Sequence, residues 1–177
     1  MSRALASTWG VASGAVAAVV AVAGLAHAQE RLVPGPKGAP LLLEASADGV
    51  QIYVCEAKGP GYEWVFKAPE ANLFDRKGRQ IGTHYAGPTW KTMDGASVVG
   101  EVAARADAPT AGAIPWLLLR AKSHDGTAPL ATAAFIRRAE TVGGVAPTTG
   151  CDAAHSGEQA RMRYSAVYEF LGAAEKP

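Results

Sequence analysis

His84, Tyr85, Trp90 and Asp94 fall within nineteen consecutive residues, Gly82 to Gly100, that read GTHYAGPTWKTMDGASVVG. A histidine can carry protons or ligate a metal near neutral pH, and tyrosine and tryptophan offer flat faces to a sugar or another planar ligand. These four are the candidate ligand-binding residues. Trp90, lying after Gly87-Pro88 and before Asp94-Gly95, is the tryptophan whose setting reads least like a core position. A hydrolytic reading draws on the same stretch: His84 with Asp94, or with Glu63 beside Trp64, would be a general base oriented by a carboxylate. Glu63 and Asp94 also have plainer readings, as a solvated strand residue and a turn former.

No motif extends this chemistry further. The chain has no G-x-S-x-G elbow and no H-E-x-x-H pair. His84, His124 and His155 are spread over about seventy residues without the paired spacing of a zinc site, so no metal is expected. His84 reads as a strand-end histidine bonded to backbone, His124 and His155 as solvated loop residues. A G-x-G-x-x-G turn for a nicotinamide cofactor is also missing, and no cofactor and no catalytic residue is assigned.

The elements that must position these residues are strands. Asp94-Gly95 is a hairpin signal, read as a type I′ turn, and it places Trp90 and Val98 on paired strands. Asp48-Gly49 reads as a second such hairpin between Leu41–Ser46 and Val50–Ala57. In Tyr62–Lys67, Tyr62, Trp64 and Phe66 alternate with Glu63, Val65 and Lys67, and the aromatic face is expected in the core. Gln80–Tyr85, Ser97–Ala104, Ile114–Ala121, Leu130–Glu140 and Met162–Phe170 complete the set, although the alanines and arginines of Leu130–Glu140 also suit a helix. About eight to ten short strands separated by turns give an all-β antiparallel sandwich or barrel.

The first 28 residues read as a signal peptide: Arg3, an apolar run from Val11 to Leu25, then Ala26-His27-Ala28 as a cleavage signature. Fifteen apolar residues are shorter than the roughly 20 that span a bilayer, so no membrane span is expected in the mature chain. Residues 29–40 read as a flexible leader, and 41–177 as one domain. Without Arg3, sixteen basic residues balance sixteen acidic ones with no basic run, which excludes a nucleic-acid partner of the phosphate-neutralising kind. Cys55 and Cys151, in a chain routed to an oxidising compartment, are expected to pair.

Taken in order, Gly49-Val-Gln-Ile-Tyr53 with Cys55, Ala86-Gly-Pro-Thr-Trp90, Asp94-Gly95, Ile114-Pro-Trp-Leu-Leu-Leu119, Gly143-Gly-Val-Ala-Pro147 with Cys151, and the Tyr164, Tyr168, Phe170 ending form a set. The set resembles the family called domain of unknown function 3455, and it runs through nearly the whole mature chain. The resemblance implies an exported protein and carries no established activity, cofactor or catalytic residue. The malate-dehydrogenase label borne by some members finds no dinucleotide-binding pattern here. The expectation is therefore a secreted or periplasmic, disulfide-stabilised domain that binds a small molecule, glycan or surface. A hydrolase of cell-envelope or extracellular material is the alternative.

Overall fold

The computed structural model describes residues 32–127 and 129–174. The segment read as a signal peptide lies outside them. Eight antiparallel strands follow one another around a closed barrel: β1 Leu41–Lys58, β2 Gly61–Phe74, β3 Gln80–Tyr85, β4 Thr89–Thr92, β5 Ser97–Ala106, β6 Trp116–Asp125, β7 Phe135–Gly143 and β8 Gln159–Leu171. β8 closes against β1, so the barrel has no open end strand, although β2 is paired with β3 only over Ala71–Phe74. The barrel is thus the form that the expected all-β fold takes.

Alternation within the strands decides what fills the interior. In β8, Tyr164, Ala166, Tyr168 and Phe170 are buried, as the period of two requires. They pack with Ala45, Leu73, Trp90, Val98, Leu119 and Ile136 into one core. A barrel of this size is just wide enough for side chains to fill. The end at which β1 begins is closed by a short 3-10 turn, Leu130–Thr132, whose Leu130 is fully buried in that core. The opposite end, where β1 finishes, is the mouth. A second, outer cluster joins Val33, Trp116 and Ala139. Val33, within the segment 29–40, is only 2% exposed.

The turns needed two corrections. Asp94-Gly95 does make the hairpin, and Trp90 does pair with Val98. Yet only Gly95 takes a positive φ, 97°, and the loop has three residues, closed by Gly95 N–H to the Thr92 carbonyl and Thr92 N–H to the Ala96 carbonyl. That is the three-residue hairpin with glycine in the left-handed position rather than type I′. Asp48-Gly49 is no turn at all. It lies inside the unbroken β1, with Gly49 opposite Ala71 on one side and Tyr164 on the other. A Cβ there would stand 2.2 Å from the Glu70 carbonyl oxygen, so glycine serves close strand approach rather than chain reversal.

The Tyr62, Trp64, Phe66 face is not core either. A bulge in β2 sets Ile52 opposite Ala68 but Tyr53 opposite Phe66. Beyond it the β1–β2 hairpin extends past the barrel, and Phe66 is 49% exposed. The aromatic face meets the loop after β7, to which Trp64 Nε1 donates at the Thr149 carbonyl, 2.9 Å away. Cys55 and Cys151 are joined, anchoring that loop to β1 as expected.

Candidate functional site

The residues singled out in sequence separate into two environments. His84 and Trp90 face the barrel interior at 2% and 1% exposure, while Tyr85 is 40% exposed on the outer face. Asp94 sits on the β4–β5 loop at the closed end, where the Thr92 hydroxyl and the Ala96 N–H bond its carboxylate and hold its pKa below the ordinary value. The four form no common surface. The bend at Gly87-Pro88 belongs to the mouth side, but its tryptophan turns inward and packs as core.

The hydrolytic pairing is not formed. His84 Nδ1 lies 2.9 Å from the Thr89 carbonyl, which can only accept, so Nδ1 carries the proton. Burial is the main cause that lowers its pKa, to about 3, so the ring is neutral at physiological pH. Glu63 is exposed on the β1–β2 hairpin in an ion pair with Lys58. His124, exposed near the end of β6, donates to the Ala133 carbonyl, and His155 bonds Asp152 within a 3-10 turn. Each of these three histidines therefore serves a local bond. His84 is the backbone-bonded strand-end residue expected, whereas His124 belongs to a strand rather than a loop.

The group that sequence reasoning passed over is at the mouth. Arg138 follows Ile136 on the inward face of β7, and its positive charge lies near enough to Tyr53, His84, Tyr164 and Tyr168 to pull each pKa downward, against the larger effect of burial on the tyrosines. Its Nε and Nη2 both donate to the Pro115 carbonyl, at 3.1 and 2.8 Å. Pro115 is itself held, because Ile114 N–H donates to Gly143 and Thr141 Oγ1 to the Ile114 carbonyl. Directly after Arg138 the strand bulges between Ala139 and Val142, and Glu140 takes φ 51°, a left-handed conformation uncommon outside glycine.

Arg138 opens onto a cavity of about 350 Å³. Gln51 and Tyr53 of β1 form one wall and Leu117 another, with Phe66 and Arg105 at the rim and Val145 of the disulfide-anchored loop above. No aspartate or glutamate lines it. Gln51 is 2% exposed, and among the described residues its Nε2 finds no acceptor. Tyr53 donates to the Gly144 carbonyl at 2.7 Å and meets Phe66 edge to face at 5.7 Å. Behind this wall the Tyr164 and Tyr168 hydroxyls stand 3.4 Å apart, and Tyr168 contacts the His84–Trp90 pair. Burial pushes both phenols above their ordinary range, so they stay protonated donors.

One sequence signal could have revealed Arg138: a cation in register with Ile136 on a strand's inward face. Gln51 could not be singled out, because Val50, Ile52 and Val54 alternate with Gln51, Tyr53 and Cys55 and both faces of the strand carry residues worth burying. Among the described residues no group of His, Cys, Asp or Glu is arranged to hold a metal ion, and no helix is long and apolar enough to cross a membrane.

No curated protein and no solved structure matches the chain. Residues 36–172 match the family described as protein of unknown function (DUF3455), a span from the loop before β1 to the residue after β8 that includes every strand of the barrel and both cysteines. The chain belongs to that family.

Proposed function

We propose that this protein is an exported barrel that binds a small organic molecule in the cavity at its mouth, without transforming it. One observation carries the reading: an inward-facing guanidinium, fixed by two bonds to Pro115, borders a cavity that also holds Arg105 and no carboxylate. Charged groups inside proteins are ordinarily paired, and a site of this size with an apolar lining and a few convergent polar groups is the usual form of a ligand pocket. Export is supported by the N-terminal pattern of Arg3, apolar run and Ala26-His27-Ala28 together with a disulfide, which persists in oxidising compartments.

The test is a two-dimensional amide NMR titration with a set of single-ring fragments, neutral and charged. Binding at the mouth moves the amides of Gln51, Phe66, Ile114 and Val145 together. A set that leaves these four amides unmoved contradicts the reading.

A further inference from the structure

We infer that the mouth cavity is a site for a small organic carboxylate, with Arg138 and Gln51 taking its oxygens and the Tyr53–Phe66 pair facing its body. The inference rests on the ligand-binding reading above and adds the chemical class.

The geometry of Arg138 supports it first. Its bonds to Pro115 use Nε and one hydrogen of Nη2, which is the side edge of the guanidinium. The end edge, shared by Nη1 and Nη2, lies beside the Tyr168 hydroxyl and makes no other hydrogen bond among the described residues, and two parallel N–H groups on one edge match the two oxygens of a carboxylate. Because the Pro115 carbonyl fixes the plane of the fork, little rotamer freedom remains to be lost on binding.

Gln51 supports it independently. Gln51 is 2% exposed and lines the same cavity; its amide stands beside the Tyr164 hydroxyl, and its Nε2 makes no hydrogen bond of good geometry among the described residues. A buried donor left without an acceptor is unfavourable, and an anionic oxygen in the cavity would accept from it. The charge balance points the same way, since two arginines and no acid line the space.

The apolar part of the lining limits the rest of the ligand. Leu117, Ile114 and Val145 offer nothing to bond, so much of the wall suits an apolar ligand body rather than further charged oxygens. Phe66 and Tyr53 present an edge-to-face aromatic pair at the rim, suited to a flat body. A volume of about 350 Å³ is at the small end for ligand pockets, enough for roughly one ring and its substituents.

The experiment compares benzoate, its neutral isostere benzamide, and phenylphosphonate on the full mature chain, by calorimetry and by the NMR titration above. Benzoate should bind at the mouth at least tenfold more tightly than either of the others. Arg138→Met should lower benzoate affinity tenfold or more and remove the preference over benzamide. Since Arg138 also holds Pro115, Gln51→Leu serves as the second variant: it should keep the fold and weaken benzoate severalfold. Equal affinity for benzoate and benzamide, or tighter phenylphosphonate, overturns the carboxylate inference and leaves ligand binding standing. Movement of the mouth amides by other fragments but not by benzoate overturns it in the same way. Only a mouth that no fragment perturbs removes both readings.

Discussion

The imidazole of His84 lies flat on the indole of Trp90, with ring centroids 4.4 Å apart and planes 8° from parallel. Tyr168 meets both edge-on, at 5.0 and 5.3 Å. The stack occurs because the two residues are register partners on β3 and β4, and both point inward. A neutral imidazole suits that setting, since a charged one would be desolvated among rings.

This gives a pH dependence. In the unfolded chain a histidine protonates at about 6.5, and in the fold His84 does so only at about 3. Between those values the unfolded state binds the extra proton, so the contribution to stability is complete above about pH 6.5 and is lost as pH falls. From pH 7 to pH 5 the loss from this group should be about 2 kcal/mol. His155, whose pKa is raised by Asp152, works in the opposite direction: its contribution grows as pH falls through the range above about 6.5 and is complete below it, and because it does so equally in wild type and in a His84 variant it drops out of their difference. Urea unfolding should show His84→Gln losing about 2 kcal/mol less than wild type over that range. An equal loss in both would mean that His84 is not the group responsible.

Trp90 is 1% exposed, so Trp90→Ala should cost roughly 3 to 5 kcal/mol through lost burial and the cavity left behind. Gly95→Val should also destabilise, because φ at Gly95 is 97° and a β-branched residue resists it. Thermal melts of the two variants measure this. A Trp90→Ala melt within a few degrees of wild type would contradict the core assignment.

The Cys55–Cys151 bond spans 96 residues of sequence. Replacing either cysteine should lower stability by about 2 to 5 kcal/mol. Because the bond anchors the loop that carries Val145, it should also broaden amide signals at the mouth. Non-reducing peptide mapping should find one linked pair, and two alkylatable thiols in exported protein would refute the pairing.

Export should yield a mature chain that begins at Gln29. Intact-mass measurement of the exported fraction checks this, and retention of residues 1 to 28 would exclude cleavage after Ala28.

Strand identity was legible where local pattern and tertiary setting agree. Gln80–Tyr85 matches β3 at both ends, and the alternation of Tyr164, Ala166, Tyr168 and Phe170 gives the buried face of β8. Asp48-Gly49 misled because a hairpin dipeptide and a close strand approach both require glycine, and only the neighbouring Glu70 carbonyl distinguishes them. The Tyr62, Trp64, Phe66 face misled for another reason. Alternation shows that three aromatics share a side, but not that β2 continues past the barrel and leaves that side to a loop. Arg138 was least legible of all, since its inward direction depends on closure of β7 against β8 and its meaning on Pro115, more than twenty residues away in sequence.

The central claim, that the mouth of the barrel holds a small organic carboxylate, is tested most directly by a crystal structure of the mature protein soaked with benzoate. The predicted result is benzoate density in the mouth cavity, with both oxygens within hydrogen-bond distance of the Arg138 end edge and one of them accepting from Gln51 Nε2. Benzoate bound only elsewhere on the molecule, or seated in the cavity with its carboxylate turned away from Arg138, would contradict it.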